Sequence, residues 1–427
     1  MPRPNFVFIM ADDLGYADLG CYGGRANCSP VLDRMATEGV RFTNGYANSS
    51  VCSPSRFAIM TGRYQHRLRG GFDEPIARGG PDLGLPPEHP TMPSLLRDAG
   101  YATALIGKWH LGSPPWFSPQ KSGYQEYFGC RSGAVDFFTH RSFAGTHDLW
   151  DGDDEAHEDG YLTDILSDRA AGYIRRRASD EPYMLSVHYT APHWPWETRD
   201  DRAEAERIRD KGIFHLDGGS LETYLRMIHH MDEGIGRILQ AIDETGGRDN
   251  TLVLFTSDNG GERFSDSWPL VGKKMDLLEG GIRVPYIVRW PDRIAAGTLN
   301  DRPVMGMDWM PTFLTAAGVA PHADYPLDGI DIFGPNRPRD LFWRMKFRNQ
   351  KAVRSGVWKW LSIDGNEFLF NLEQDQRERA NLRYREPDRF MKLRRTFFEW
   401  DESMPLFPED AAYALVYDET SLAQSAG

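Results

Sequence analysis

The sequence predicts an α/β fold: a large, mainly parallel or mixed sheet flanked by helices, then a small antiparallel sheet with a terminal helix. Three observations predict it. Apolar runs at 6–10, 101–106, 183–189 and 251–256 read as strands buried on both faces, as in parallel sheets. Helix-like segments alternate with those runs. After about residue 336 short strand-like stretches with tight links, such as Asp364-Gly365, replace the alternation. The expected division is therefore a catalytic α/β domain at 1–335 and a C-terminal subdomain at 336–427, a four-stranded antiparallel sheet plus helix.

Taken in order, the first run closes on Ala11-Asp12-Asp13, and a short helix is expected at 31–38. The stretch 49–63 is centred on Cys52-Ser53-Pro54-Ser55-Arg56. Pro54 suits a first helical turn, Ser53 is a candidate cap, and Gly62 reads as the stop. Cys52 then lies at a helix N-terminus, where free N–H groups and the dipole favour an anion. Arg56 follows about one turn later and can aim its fork at the same anion. Read alone, Cys52 is more often a small buried apolar residue. Thr91 and Gly100 bracket a second helix. The strand 101–106 leads into Gly107-Lys108-Trp109-His110-Leu111-Gly112, and 113–159 reads as a long loop region over one face.

An amphipathic helix is expected at 161–177. The strand 183–189 ends in Thr190-Ala191-Pro192-His193-Trp194-Pro195-Trp196, and 197–211 is a charged, solvated segment. A long helix at 220–245 precedes the strand 251–256, which closes on Ser257-Asp258-Asn259-Gly260-Gly261. A strand at 284–290 and a helix at 308–317 complete the first domain. The tail offers strands at 341–347, 352–354, 358–363 and 367–371, then a helix at 388–400.

The 427 residues suffice for a large core. Lysine and arginine number 49 against 62 acidic residues, a formal charge of −13, so a nucleic-acid partner is not expected. Any anion site must gather positive charge locally. The four cysteines, without a CxxC pair, make neither a disulfide scaffold nor a zinc site, although Cys21 and Cys28 could pair. No run approaches the ~18 apolar residues of a membrane span. No secretory leader is read, so a cytoplasmic location is expected; a removed export leader would leave the same trace. A homo-oligomer stays open.

Four strand ends carry chemistry and face one rim if the strands are parallel. Asp12, Asp13, Asp258 and Asn259 are hard oxygen ligands suited to calcium or magnesium. Each acidic pair alone could equally be a capped turn. Arg56, Lys108, His110 and His193 form a cationic half able to hold a tetrahedral oxyanion. Trp109, Trp194 and Trp196 are more often packing residues than ligand platforms. A thiolate at Cys52 is a poor companion for a hard cation.

At this point the residues resemble the type I, formylglycine-dependent sulfatases of the alkaline phosphatase superfamily, arylsulfatase-like. Cys52-Ser53-Pro54-Ser55-Arg56 with Thr61-Gly62-Arg63 matches the C-x-P-x-R…T-G-R signature. The stretches 5–15, 107–112 and 191–193, then 257–260 and Lys274…Glu279-Gly280-Gly281-Ile282-Arg283-Val284-Pro285, continue the likeness along nearly the whole chain. The resemblance implies an alkaline-phosphatase-like fold and sulfuric ester hydrolysis of an aryl sulfate or sulfated carbohydrate. It implies that a separate formylglycine-generating enzyme converts Cys52 to formylglycine, whose hydrate attacks sulfur, the sulfo-enzyme then expelling sulfate by elimination. It implies Ca²⁺, with Mg²⁺ as the variant, held by Asp12, Asp13, Asp258, Asn259 and modified Cys52. Asp258 would be the base, His110 would drive elimination, and His193 or Lys274 would serve the leaving alcohol. Arg56 and Lys108 would hold charge. Lys274 is preferred to Lys273 by its spacing to Glu279, and Ser132 is a further candidate on the sulfate. The alternatives are a phosphodiesterase or phosphonate monoester hydrolase of the same superfamily, or an unmodified anion-binding relative.

Overall fold

The computed structural model describes residues 3–177, 182–210 and 212–414. Residues 415–427 of the expected C-terminal subdomain and Lys211 of the expected surface segment lie outside the described residues.

The centre of the molecule is a ten-stranded sheet. Asn5–Ala11 pairs in parallel with Thr251–Ser257 on one side and Tyr183–His188 on the other, and Ala102–Gly107 runs parallel to Tyr183–His188. Every side chain of Phe6–Ala11 is buried, which explains the uninterrupted apolar run. Val7 and Ile9 face the helices Leu162–Arg177 and Leu221–Glu244, while Phe6, Phe8 and Met10 face the helices Cys52–Thr61, Met92–Asp98 and Trp309–Ala317. Helices thus cover both faces, the condition for a two-sided apolar strand.

Outside the parallel centre the sheet is mixed. Tyr286–Arg289 runs antiparallel to Thr251–Ser257, so its C-terminal end leaves the rim on which the other strands end. The region 113–159, expected as loop, contributes Glu126–Gly129, Trp150–Asp151 and Asp154–Glu155 to the far edge of the sheet. The charged segment 197–211 contains the helix Arg202–Ile208, which buries Ala205 and Ile208. Cys21 and Cys28 are free thiols. No helix among the described residues is long and apolar enough to cross a membrane.

Asp340–Met345, Gln350–Ser355, Trp358–Ile363 and Asn366–Asn371 form the expected small antiparallel sheet. One face packs Trp343, Met345, Leu361 and Phe370 against Tyr46, Val51 and Ala58 of the first domain. The other packs Val353, Trp360 and Leu369 under Leu393 and Phe397 of the helix Pro387–Glu402. A buried ion cluster rivets the two sheets. Lys359 Nζ lies 3.0 Å from Glu279 and 2.8 Å from Glu378, and Tyr46 Oη donates to Glu279 at 2.6 Å. Burial pushes the Glu378 carboxyl up to about 7, against the pull of Lys359.

Lys359→Ala leaves two buried carboxylates without their shared cation and should cost about 3–5 kcal/mol of stability, read as a lower urea midpoint with unchanged m. A raised folded-state pKa at Glu378 means folding takes up a proton between the unfolded value and about 7. Its stabilisation is therefore full below the unfolded value and lost as pH rises through 7. Glu378→Gln should flatten the fall in stability across that window; an unchanged slope would refute the assignment.

Candidate active site

The parallel registers set the strand ends side by side: Ala11 opposite Ser257, Met10 opposite His188, and Gly107 opposite His188. Backbone bonds knit the next residues together. Asp12 N–H donates to Ala191 O, Asp258 N–H to Ala11 O, and Lys108 N–H to His188 O at 2.8 Å. Gly107, at φ +119°, permits that last approach, since a Cβ there would sit 1.9 Å from the His188 carbonyl oxygen. The helix Cys52–Thr61 presents Cys52 as its first residue toward this rim and ends on Gly62 in the left-handed region. Ser53 does not cap it. Its hydroxyl instead accepts the Ile76 N–H at 2.8 Å, tying the helix start to the loop beside it.

Ligand atoms of Asp12, Asp13, Cys52 and His193 all lie within 4.8 Å of one another, and all four residues are buried. Around them the charges pair one to one. Lys108 Nζ meets Asp12, Lys274 Nζ donates to Asp13 at 2.7 Å, and the Arg56 fork donates Nε and Nη2 to Asp258 Oδ2 at 3.0 and 2.9 Å. Arg56 therefore reaches back to Asp258 rather than to Cys52. Asn259 Nδ2 donates to Asp13 Oδ1 at 2.7 Å.

A cation fits this set. Asp12 Oδ1 and Asn259 Oδ1 are buried and have no hydrogen-bond partner. Unpaired buried oxygens cost free energy that a metal would offset, and all-oxygen donors suit a hard ion. Burial, and after it the neighbouring Asp258, pushes Asp12 up to about 8 against the pull of Lys108. Burial also raises Asp13, but Lys274 and His193 overcome it and hold that carboxyl well below the usual range.

The cysteine behaves otherwise. Burial pushes the Cys52 thiol up to about 12 despite Lys108 and Lys274, so almost no thiolate exists at neutral pH. His110 and His193 are both held far below an ordinary histidine by burial, with Lys108 next for His110 and Lys274 for His193. His110 Nε2 donates to Ile76 O at 2.9 Å, and its Nδ1 is buried without a partner. Its ring fits because residue 133 is glycine: a Cβ there would come within 2.6 Å of the imidazole. His193 Nδ1 lies 2.7 Å from Trp194 O, leaving Nε2 3.5 Å from Asp13.

A cleft of about 900 Å³ opens above Cys52, His110, His193 and Lys274. Trp194 lines it and meets Phe214 at 5.1 Å between ring centroids, whereas Trp109 and Trp196 are core residues. Ser132 is not part of its lining; its hydroxyl donates to Ala134 O at 3.0 Å. Lys273 lines the outer cleft while Lys274 reaches Asp13. Sequence reading missed Glu262, Arg348 and Asp364, which also line the cleft. Glu262 had a signal, an acid four residues after Asp258; the other two arrive on loops of the small sheet.

Fold and site together gather three cationic side chains and unpaired buried oxygens of Asp12 and Asn259 at the ends of parallel strands. The chain belongs to the sulfatase family of the alkaline phosphatase superfamily: the family model described as Sulfatase matches residues 4–319. It is 32% identical over 355 residues to N-acetylgalactosamine-6-sulfatase of Homo sapiens, covering 77% of this chain and 65% of that protein. It is 34% identical to steryl-sulfatase of Mus musculus, over 78% of this chain and 65% of that one. The chain thus spans 65% of the length of these relatives. Among solved structures, Ps i-CgsB in complex with k-i-k-neocarrahexaose superposes with a TM-score of 0.86 at 29% identity, covering 99% of this chain and 98% of that one.

If the oxygen set holds Ca²⁺, adding it should raise the melting temperature, by about 2.7 kcal/mol equivalent at 100-fold the dissociation constant. Asp12→Asn should abolish that rise. A melting curve indifferent to Ca²⁺ and to chelator would refute the metal site.

Proposed function

We propose that the protein is a sulfuric ester hydrolase that cleaves sulfate monoesters of carbohydrates or aryl alcohols. The observation that carries this reading is the state of Cys52. It stands at the centre of a cation and carboxylate constellation as a buried thiol too weakly acidic to attack. Conversion to formylglycine by a separate modifying enzyme would put oxygen where sulfur stands. That oxygen would supply the nucleophile, while Ca²⁺ on Asp12, Asp13, Asp258 and Asn259 would supply Lewis-acid charge to the sulfate.

The chain's own residues then do the following. Lys108 and Lys274 place two ammonium groups beside residue 52, where each stabilises sulfate oxygens. Lys274 stays protonated, held well above the usual lysine value by Asp13 against its burial, and can donate to the leaving oxygen. His193 stands beside it as the second candidate for that role. His110 is neutral, and its free Nδ1 can accept a proton from a hydroxyl at residue 52. Asp258 accepts as base, and Arg56 acts through it by fixing the carboxylate with its Nε and Nη2 donors. Two of the similar proteins point to a saccharide, the N-acetylgalactosamine-6-sulfatase and Ps i-CgsB in complex with k-i-k-neocarrahexaose, and the steryl-sulfatase points to a non-sugar alcohol.

Mass spectrometry of the tryptic peptide 42–56 should show Cys52 lighter by the difference between a CH₂SH and a CHO side chain, in protein made beside the modifying enzyme. Cys52→Ala should lose roughly 10³-fold or more of kcat with the fold kept. Near-normal turnover in that variant, or a preference for phosphate diesters over sulfate monoesters, would overturn the reading.

A further inference from the structure

The cleft has two unlike walls. Trp194, Phe214 and Phe143 form an apolar one. The other comes from the small C-terminal sheet and carries Arg348 and Asp364. Arg348 Nε donates to Asp364 Oδ2 at 2.8 Å, and both side chains are half-exposed. Asp364 N–H also donates to Arg348 O at 2.9 Å, clamping the two loops that bear them. Both residues hold the left-handed backbone region, Arg348 at φ 55° and Asp364 at φ 51°, and Asn349 between the loops' strands does so at φ 44°. For Asp364 this is the ordinary conformation of a two-residue Asp-Gly hairpin turn, closed between Ile363 and Asn366. For Arg348 it carries a cost of order 1–3 kcal/mol that its surroundings must enforce.

The donors and acceptors decide what this wall can take. Arg348 Nη1 and Nη2 make no hydrogen bond to the described residues, and neither does Asp364 Oδ1. The wall therefore offers two parallel N–H donors and a carboxylate acceptor side by side. A second anionic group does not fit there. Asp364 neutralises Arg348, and the Asp276 carboxylate, which accepts the Lys273 backbone N–H at 3.1 Å, adds a further negative charge at the same mouth beside Lys273. Neutral groups that both donate and accept do fit, and vicinal hydroxyls are that chemistry. The aromatic side chains that line the same cleft suit the C–H face of the same ring. The cleft volume lies near the upper end for small-ligand sites, which leaves room beyond the ring that bears the ester.

Resting on the sulfatase reading, we propose that Arg348 and Asp364 are the specificity-determining pair of this site, and that they select a sulfated saccharide by hydrogen-bonding vicinal hydroxyls of its sugar. An aryl or steroid sulfate offers no such pair. A site built to bond a hydroxyl discriminates strongly against an analogue that lacks it.

The test uses full-length protein with residue 52 converted, a sulfated galactan oligosaccharide series and sulfated hexosamines, and 4-nitrophenyl sulfate. The wild type should turn over at least one saccharide with a higher kcat/KM than the aryl ester. Arg348→Ala and Asp364→Asn should each raise KM for that saccharide at least tenfold with little change in kcat. The ratio of saccharide to aryl kcat/KM should fall with it, and Arg348→Lys should recover only part. Three results overturn the proposal while leaving the sulfatase reading intact: a wild type that cleaves only the aryl ester, variants with unchanged saccharide KM, or equal losses on both substrates. Absence of turnover on every sulfate ester would instead sink the underlying reading, and the proposal with it.

Discussion

The buried charge at the ends of the parallel strands is the constraint on which the rest depends. Asp12, Asp13 and Asp258 are all fully enclosed, and isolated carboxylates there would be prohibitively costly. Each has a nearest cation, Lys108, Lys274 and Arg56 in turn, and Arg56 also lies 4.0 Å from Asp12. The three cations come from three separate stretches of chain, so satisfying the carboxylates fixes the strand following residue 101, the loop before Glu279 and the helix of Cys52 about one point. Fold and site are therefore one problem. Three negative charges against three positive ones leave the pocket near neutral, so it can accept a divalent cation and an ester anion together without large repulsion.

The second consequence concerns the small C-terminal sheet. Its inner face shares a core with Val51 and Ala58, residues that flank and build the catalytic helix. Glu279, in the segment after Lys274, is held by Lys359 of that sheet and by Tyr46. The backbone carrying Lys274 is pinned further by Met275 N–H to Ser50 O at 3.1 Å and by Gln350 Nε2 to Met275 O at 2.7 Å. The sheet is thus a brace for the Lys274 loop and the helix start. Being rigidly attached, it can also present Arg348 and Asp364 at the cleft with defined geometry.

How much of this was legible in the sequence follows from what each feature rests on. The central strands and their polar ends were readable because two-sided burial writes an unbroken apolar run and the parallel order puts all the ends on one rim. The small sheet was readable from its period and its Asp364-Gly365 link. The strands Glu126–Gly129 and Trp150–Asp151 were not, since four and two residues are too few to write a strand period. The one-turn spacing of Cys52 and Arg56 suggested that both address one anion, but a long-range carboxylate outcompetes the local partner for the guanidinium. Ser53 looked like a cap, yet the Ile76 N–H claims its hydroxyl. Asp364 was legible only as half of a tight turn, and Arg348 left no trace, because a left-handed residue on a surface loop has no periodic signature.

The residue at position 52 ties these strands together. A thiol meant to react would be placed where its thiolate is favoured, and a helix N-terminus with two ammonium groups nearby is such a place. Here burial and the carboxylates of Asp12 and Asp258 outweigh those cations, and the thiol stays protonated. The same surroundings contain unpaired oxygens of Asp12 and Asn259 that call for a hard cation, a poor partner for sulfur. An environment that suppresses the thiolate and invites a hard metal is tuned for oxygen at that position. Under the proposed function, the encoded cysteine is the substrate of a modification, and the buried charge pairs are the frame that holds its product.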